Sequence, residues 1–282
     1  MTKRIIGLYD ALHRLWSNKL TDQSISWLLI ATFGFGLLLV VSARNLGFPA
    51  IPDTTNYFLA IDLSFQVLLV IEILGLIFVL PKSVADSVGK QFEILSVILL
   101  RSAFKEFGYF KQPVEWSNFI YEPLFHMLSD AFGALLIFLI IGFYYQKQRH
   151  ERITKNDQEQ LEFIHFKKIL SLLLLCVFVY LGFTDISQFI ETGHYVNSFN
   201  TFYTILIFAD VLILLFSLRY TTKYYNLFRY SSFALATILI RVSLTAPAYV
   251  NVILGITAGL FVLGLTLIYN YFLKQDELEA KS

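Results

Sequence analysis

Residues 70–80 read VIEILGLIFVL. Ten of these eleven positions are apolar or glycine, and one is a carboxylate, Glu72. A helix needs roughly 20 mostly apolar residues to cross a ~30 Å hydrocarbon core. This run is the centre of such a segment, so the acid inside it needs a partner. A lone charge at a helix centre costs about 2.5–3.5 kcal/mol on the lenient insertion scale.

Working outward, the same apolar density recurs along the chain. Eight candidate crossings lie near 25–43, 58–80, 88–105, 122–145, 169–185, 200–218, 229–246 and 248–273. The third and seventh are the weakest because each contains an arginine. The break Thr245-Ala246-Pro247-Ala248 is short, which predicts a tight hairpin between the last two. Over the whole chain 56% of residues are hydrophobic and only 15% charged, well below the charge of an ordinary soluble domain. The 28 Phe and 16 Tyr suit lipid-facing and interfacial positions. The expected fold class is therefore all-α: a polytopic transmembrane helical protein of eight helices.

Basic residues orient it. With the N-terminus in the cytoplasm, the outer loops hold only Arg44, Lys105 and Lys111, and nearly all other lysines and arginines fall inside. Both termini are then cytoplasmic. No cleavable signal peptide is expected, since the first apolar run starts late and lacks a small-residue cleavage site.

The opening stretch also has a counterpart. Residues 208–218 read FADVLILLFSL, again with an acid in third place, Asp210. Downstream, ILLRSAF at 98–104 is similar to TILIRVSL at 237–244, bringing Arg101 and Arg241 into register. Prolines Pro123 and Pro247 follow, and the last helices end in GFYYQ and IYNYF. Two four-helix units in tandem are expected. Four crossings return the chain to its starting side, so the copies form a parallel repeat. The organisation reads as an amphipathic N-terminal helix at 1–23, a first unit at 24–146, a charged cytoplasmic linker at 147–168, a second unit at 169–273 and a tail at 274–282.

Depth then suggests partners. Glu72 lies ~12 Å from the inner end of its helix, and Arg101 ~18 Å in if helix three begins near Gly89. Asp210 and Arg241 give similar depths. Intramembrane ion pairs Glu72–Arg101 and Asp210–Arg241 are expected, facing inward rather than toward lipid. Such pairs act as interhelical glue or as functional sites; their presence in both copies suits glue.

The first unit carries more ionisable groups. Glu122, His126 and Asp130 are spaced i, i+4, i+8 and share one helix stripe. With Asp62 and Gln66 on helix two they outline a proton or small-cation path, histidine being the group that titrates near neutrality. The bland reading is a solvated Glu122 and an interfacial histidine.

Residues 208–241, FADVLILLFSLRYTTKYYNLFRYSSFALATILIR, followed by a proline turn and VNVILGITAGLFVLGLTLIYNYF, resemble the PsiE family of phosphate-starvation-inducible bacterial membrane proteins. The family's helix-two acid is similar to Asp210, and its two arginines twelve residues apart resemble Arg229 and Arg241. In the first unit Gly89 stands where the inner arginine would fall, and the outer segment near 105–121 is longer. The resemblance implies a bacterial inner-membrane protein with a regulatory, stress-linked or scaffold role. It brings no catalytic activity.

Other functions find little support. Near-neutral net charge gives no case for nucleic acid. A single cysteine, Cys176, allows no internal disulfide or Cys-based metal site, and no metal or other cofactor is expected. There is no GxSxG, Walker loop or HExxH, so no enzyme is expected. No helix carries the repeated arginines of a voltage sensor.

Peripheral segments are interfacial. Ile5, Leu8, Leu12, Leu15 and Trp16 share one side of a helix that would lie on the inner leaflet. Arg219, Lys223 and Arg229 sit among tyrosines at the same level and would anchor the chain or meet anionic lipid head groups. Membrane lipids are the expected partners. A homo-oligomer is compatible with the sequence, as is a cytoplasmic partner on 147–168, and neither is selected. Gly133, Gly142, Gly255 and Gly259 would allow close helix packing.

Overall fold

The computed structural model describes residues 2–46, 58–82, 84–106, 121–148, 157–192, 198–219 and 224–279. All regular structure among them is helical: α1 (Thr2–Trp16), α2 (Lys19–Leu46), α3 (Phe58–Val79), α4 (Val84–Glu106), α5 (Tyr121–Lys147), α6 (Asp157–Thr192), α7 (Phe199–Leu218), α8 (Tyr224–Thr245) and α9 (Val250–Glu279). Helices satisfy their backbone polar groups internally, which is what an apolar surrounding demands. Among the described residues, proline falls where helices tolerate it. Pro123 sits in the first turn of α5, where its missing N–H breaks no helical bond. Pro247 lies in the break between α8 and α9. There Tyr249 takes a positive φ of 69° and Ser243 Oγ donates to the Asn251 carbonyl at 2.6 Å. That clamp makes the expected hairpin.

Six helices are long and apolar enough to cross a membrane: α2, α3, α5, α6, α8 and α9. The chain is a membrane protein on that ground. The apolar part of α7, Thr201–Ser217, is shorter, and α4 carries too many charges to qualify by composition. Large apolar side chains are exposed in quantity on the rim, among them Trp27, Phe35 and Leu38 on α2 and Phe183 and Ile190 on α6. A water-soluble monomer does not present such a surface; lipid covers it.

Two cores hold the bundle. One joins α4, α5, α8 and α9 around Phe92, Leu95, Ile137, Phe233 and Val262. The other joins α3, α4, α6 and α7 around Ile73, Ile94, Leu174, Phe202 and Leu206. Helix α4 contributes to both, so it is the spine of the protein. Glycine permits the tightest contact between α5 and α9. A Cβ on Gly133 would meet Val252 at 2.6 Å, and one on Gly255 would meet Ile137 and Leu95 at 3.0 Å. Gly259 packs on Ile140 in the same way. Gly142, expected to join them, faces open space instead.

Two peripheral segments gain detail. From Asp157 on, the linker is helical and continuous with the fifth crossing. Helix α6 runs unbroken from Asp157 through 168 into the apolar stretch, because no glycine or proline interrupts 157–168. Residues 149–156 of the expected linker lie outside the described ones. Helix α1 is amphipathic as anticipated, but it docks on protein with part of its apolar side. Tyr9 is buried and donates from Oη to the Phe78 carbonyl at 2.9 Å, while Trp16 stacks on the Phe78 ring. Lys168 closes the contact with an ion pair to Asp10 at 2.7 Å. Ile5, Leu8 and Leu15 stay exposed, on the side available to a bilayer.

Candidate functional site

The charges of α3 and α4 pair, though not as their sequence depth suggested. Glu72 meets Lys90 at 2.6 Å, and Lys90 also meets Glu93 at 3.0 Å. Tyr145 on α5 donates from Oη to Glu93 Oε1 at 2.8 Å. Arg101 instead donates to Asp62 Oδ1 at 3.1 Å. The expected Glu72–Arg101 pair does not form. The reason is the start of α4. It begins at Val84, five residues before Gly89, so Arg101 lies 17 residues in, ~26 Å from the start of the helix. Glu72 is 7 residues from the C-terminal end of α3, ~10 Å.

A signal for the true partners was present. In an antiparallel hairpin, residues equidistant from the turn face each other. Glu72 and Lys90 each lie nine residues from Pro81; Asp62 lies 19 before it and Arg101 20 after it. Grouping Lys90 with the loop charges hides this signal.

The same geometry separates the second expected pair. Asp210 lies 8 residues before the end of α7, ~12 Å, and Arg241 17 residues after the start of α8, ~26 Å. The two feel each other's charge, but no contact within 4.0 Å joins them. Arg241 is 3% exposed and its guanidinium lies 5.3 Å from the Tyr203 ring. Its Nε and Nη2 have no hydrogen-bond partner among the described residues. Asp210 accepts a long bond, 3.4 Å, from Gln91 Nε2 of α4. It also borders a small cavity with Ser87 and Thr237. Sequence reasoning missed Gln91 and Ser87, two neutral side chains with no charge pattern to mark them.

The Glu122, His126 and Asp130 stripe lies on α5, and its contacts run to Glu106 of α4 and Asn251 of α9. Glu122 is exposed. His126 Nδ1 lies 4.0 Å from Glu106 Oε1 and its ring meets Tyr249 edge-on at 5.0 Å. Burial pushes the Glu106 carboxyl up, with His126 opposing. Asp130 is 2% exposed and accepts from Asn251 Nδ2 of α9 at 3.0 Å. No ion pair or hydrogen bond among the described residues joins this group to Asp62, which Arg101 holds.

The interfacial basic group also divides. Arg219 is exposed at the end of α7. Lys223 lies outside the described residues. Arg229 is buried, stacked 4.1 Å from the Tyr269 ring and 5.4 Å from Phe233. Guanidinium stacking on aromatic faces explains how a cation sits there. No group of three or more His, Cys, Asp or Glu among the described residues is arranged to hold a metal ion.

No protein-family model, curated protein or solved structure matches the chain.

Proposed function

We propose that this is a non-enzymatic multi-pass protein of the bacterial inner membrane, PsiE-like in pattern and duplicated, whose role is regulatory, stress-linked or scaffolding. In this reading α2–α5 and α6–α9 are two parallel four-helix units, all eight helices cross, and both termini are cytoplasmic. Related contacts in the halves support the duplication. Tyr144 near the end of α5 donates to the Ala85 carbonyl at the start of α4, at 2.8 Å. Tyr269 near the end of α9 donates to Asn226 Oδ1 at the start of α8, at 2.9 Å. Helices α4 and α8 pack on each other, as do α5 and α9, which is what a two-fold axis along the membrane normal requires. Where Arg229 stacks in the second unit, the Tyr145 ring covers Gly89 in the first.

The observation that carries the architectural reading is where the polar bonds run. Glu72–Lys90, Asp62–Arg101, Tyr145–Glu93, Asp130–Asn251 and Gln91–Asp210 each join two different helices. Interhelical polar contacts of this kind fix which helices are neighbours. The second reading is a proton or small-cation conduit through the first unit, favoured by the Glu106–His126–Asp130 group at its outer end. A flux assay on full-length protein in proteoliposomes separates the two. The architectural reading expects no pH- or ion-driven flux above empty vesicles. Flux that Asp130→Asn abolishes in well-inserted protein would sink it.

A further inference from the structure

We propose that Asp210, Ser87, Thr237 and Gln91 form a binding site for one small alkali cation, sodium in size, at the seam between the two halves of the bundle. It goes beyond the architectural role, because it assigns a ligand to a buried acid of that network whose printed hydrogen bond comes from a neutral amide.

The argument begins with unmet oxygens. Ser87 and Gln91 are one turn apart on α4 and share a face. Ser87 is 4% exposed and Gln91 1% exposed, and Ser87 Oγ and Gln91 Oε1 have no hydrogen-bond partner among the described residues. Buried polar atoms in that state are costly and call for a partner. Beside them a cavity of about 20 Å³ is bordered by Asp210 of α7, Ser87 of α4 and Thr237 of α8, with apolar walls such as Leu80, Ile213 and Phe233. That volume holds about one water-sized occupant.

The donor set selects the class. Thr237 Oγ1 donates its hydrogen to the Ala234 carbonyl at 2.8 Å, which leaves its lone pairs for a ligand. Gln91 now turns Nε2 toward Asp210; a half-turn of the amide presents Oε1 there instead. A carboxylate, two hydroxyls and an amide carbonyl are hard oxygen ligands, suited to hard cations. One carboxylate, with the buried Arg241 guanidinium within electrostatic range, balances a single positive charge poorly and a double one not at all. The occupant is therefore monovalent and weakly held. Small volume favours lithium and sodium over potassium. Because α4 belongs to one half and α7 and α8 to the other, an occupied site ties the halves together.

The test is thermal unfolding of the purified full-length chain in detergent, at one pH and equal ionic strength, in lithium, sodium, potassium or N-methylglucamine chloride. Sodium and lithium are expected to raise the midpoint by several degrees over N-methylglucamine, potassium by less. Asp210→Asn should abolish the sodium increment, and Ser87→Ala and Thr237→Val should each reduce it. The last two carry the test if Asp210→Asn does not fold. Equal midpoints in all four salts overturn the proposal. So does a sodium increment that survives in Ser87→Ala and Thr237→Val. None of these outcomes bears on the flux assay, so the two readings fail separately.

Discussion

The α3–α4 and α7–α8 hairpins start from similar sequences and resolve their buried charges in different ways. In the first, two acids and two bases sit at matched distances from the turn, and all four pair. In the second, one acid and one base sit at unmatched distances, and neither reaches the other. Arg241 lies over Tyr203, and Asp210 turns to a glutamine from the other half. Burying a charge is tolerable when something nearby compensates it, but an ion pair is only one of the ways. The first hairpin uses charges to hold its own register. The second leaves its polar groups available to a neighbouring helix.

That contrast can be broken most forcefully at Lys90. Lys90→Met leaves Glu72 and Glu93 facing each other in a mostly buried setting. The expected loss is about 2–3 kcal/mol, below the 3–5 of a fully buried pair because the side chains keep some solvent. Adding Glu72→Gln should recover part of it, since the double variant removes the stranded charge. Detergent unfolding curves read both changes. If Lys90→Met costs no more than Arg241→Met, the two hairpins do not differ in the way described.

A smaller effect probes the likeness between the halves rather than the difference. Tyr144→Phe removes a bond to the Ala85 carbonyl in a fully buried place and should cost about 1 kcal/mol. Tyr269→Phe removes the bond to Asn226 in a partly buried place and should cost less, while keeping the Arg229 stacking. Unequal losses in the opposite order would count against equivalent roles.

The smallest expected change concerns α1, which is held by Phe78 of α3 and by Lys168 of α6. Burial, and then Lys82, hold His13 below its ordinary titration range. The neutral imidazole is therefore the docked form. Docking is complete above the ordinary histidine value of about 6.5 and weakens as pH falls through the lowered one. Hydrogen exchange over residues 4–16 should rise modestly from neutral pH to about 5. In His13→Phe the rise should vanish.

Much of this architecture was legible beforehand. Each of the eight apolar runs became a helix, and the amphipathic run at the N-terminus became the ninth. The Thr245–Ala248 break and the close approach at Gly133, Gly255 and Gly259 were legible too, since they depend on single residues and their neighbours. Partners were harder to read. Lys90 looked like a loop charge because the start of α4 was placed five residues late, an error of ~8 Å along the helix. Nothing in the segment of Arg229 announces that Tyr269, forty residues on, will cover it. Ser87 and Gln91 gave no signal at all, being neutral and isolated.

Helix content and membrane residence were determined by the chain itself. Both follow from local quantities: how many apolar residues occur in a row, and whether each backbone amide can bond within its own segment. Which charge meets which, and which oxygens remain unmet, was decided only by the packed bundle. Those outcomes depend on the relative register of two or more helices, and a shift of a few residues in where one begins moves a side chain out of reach of one neighbour and into reach of another.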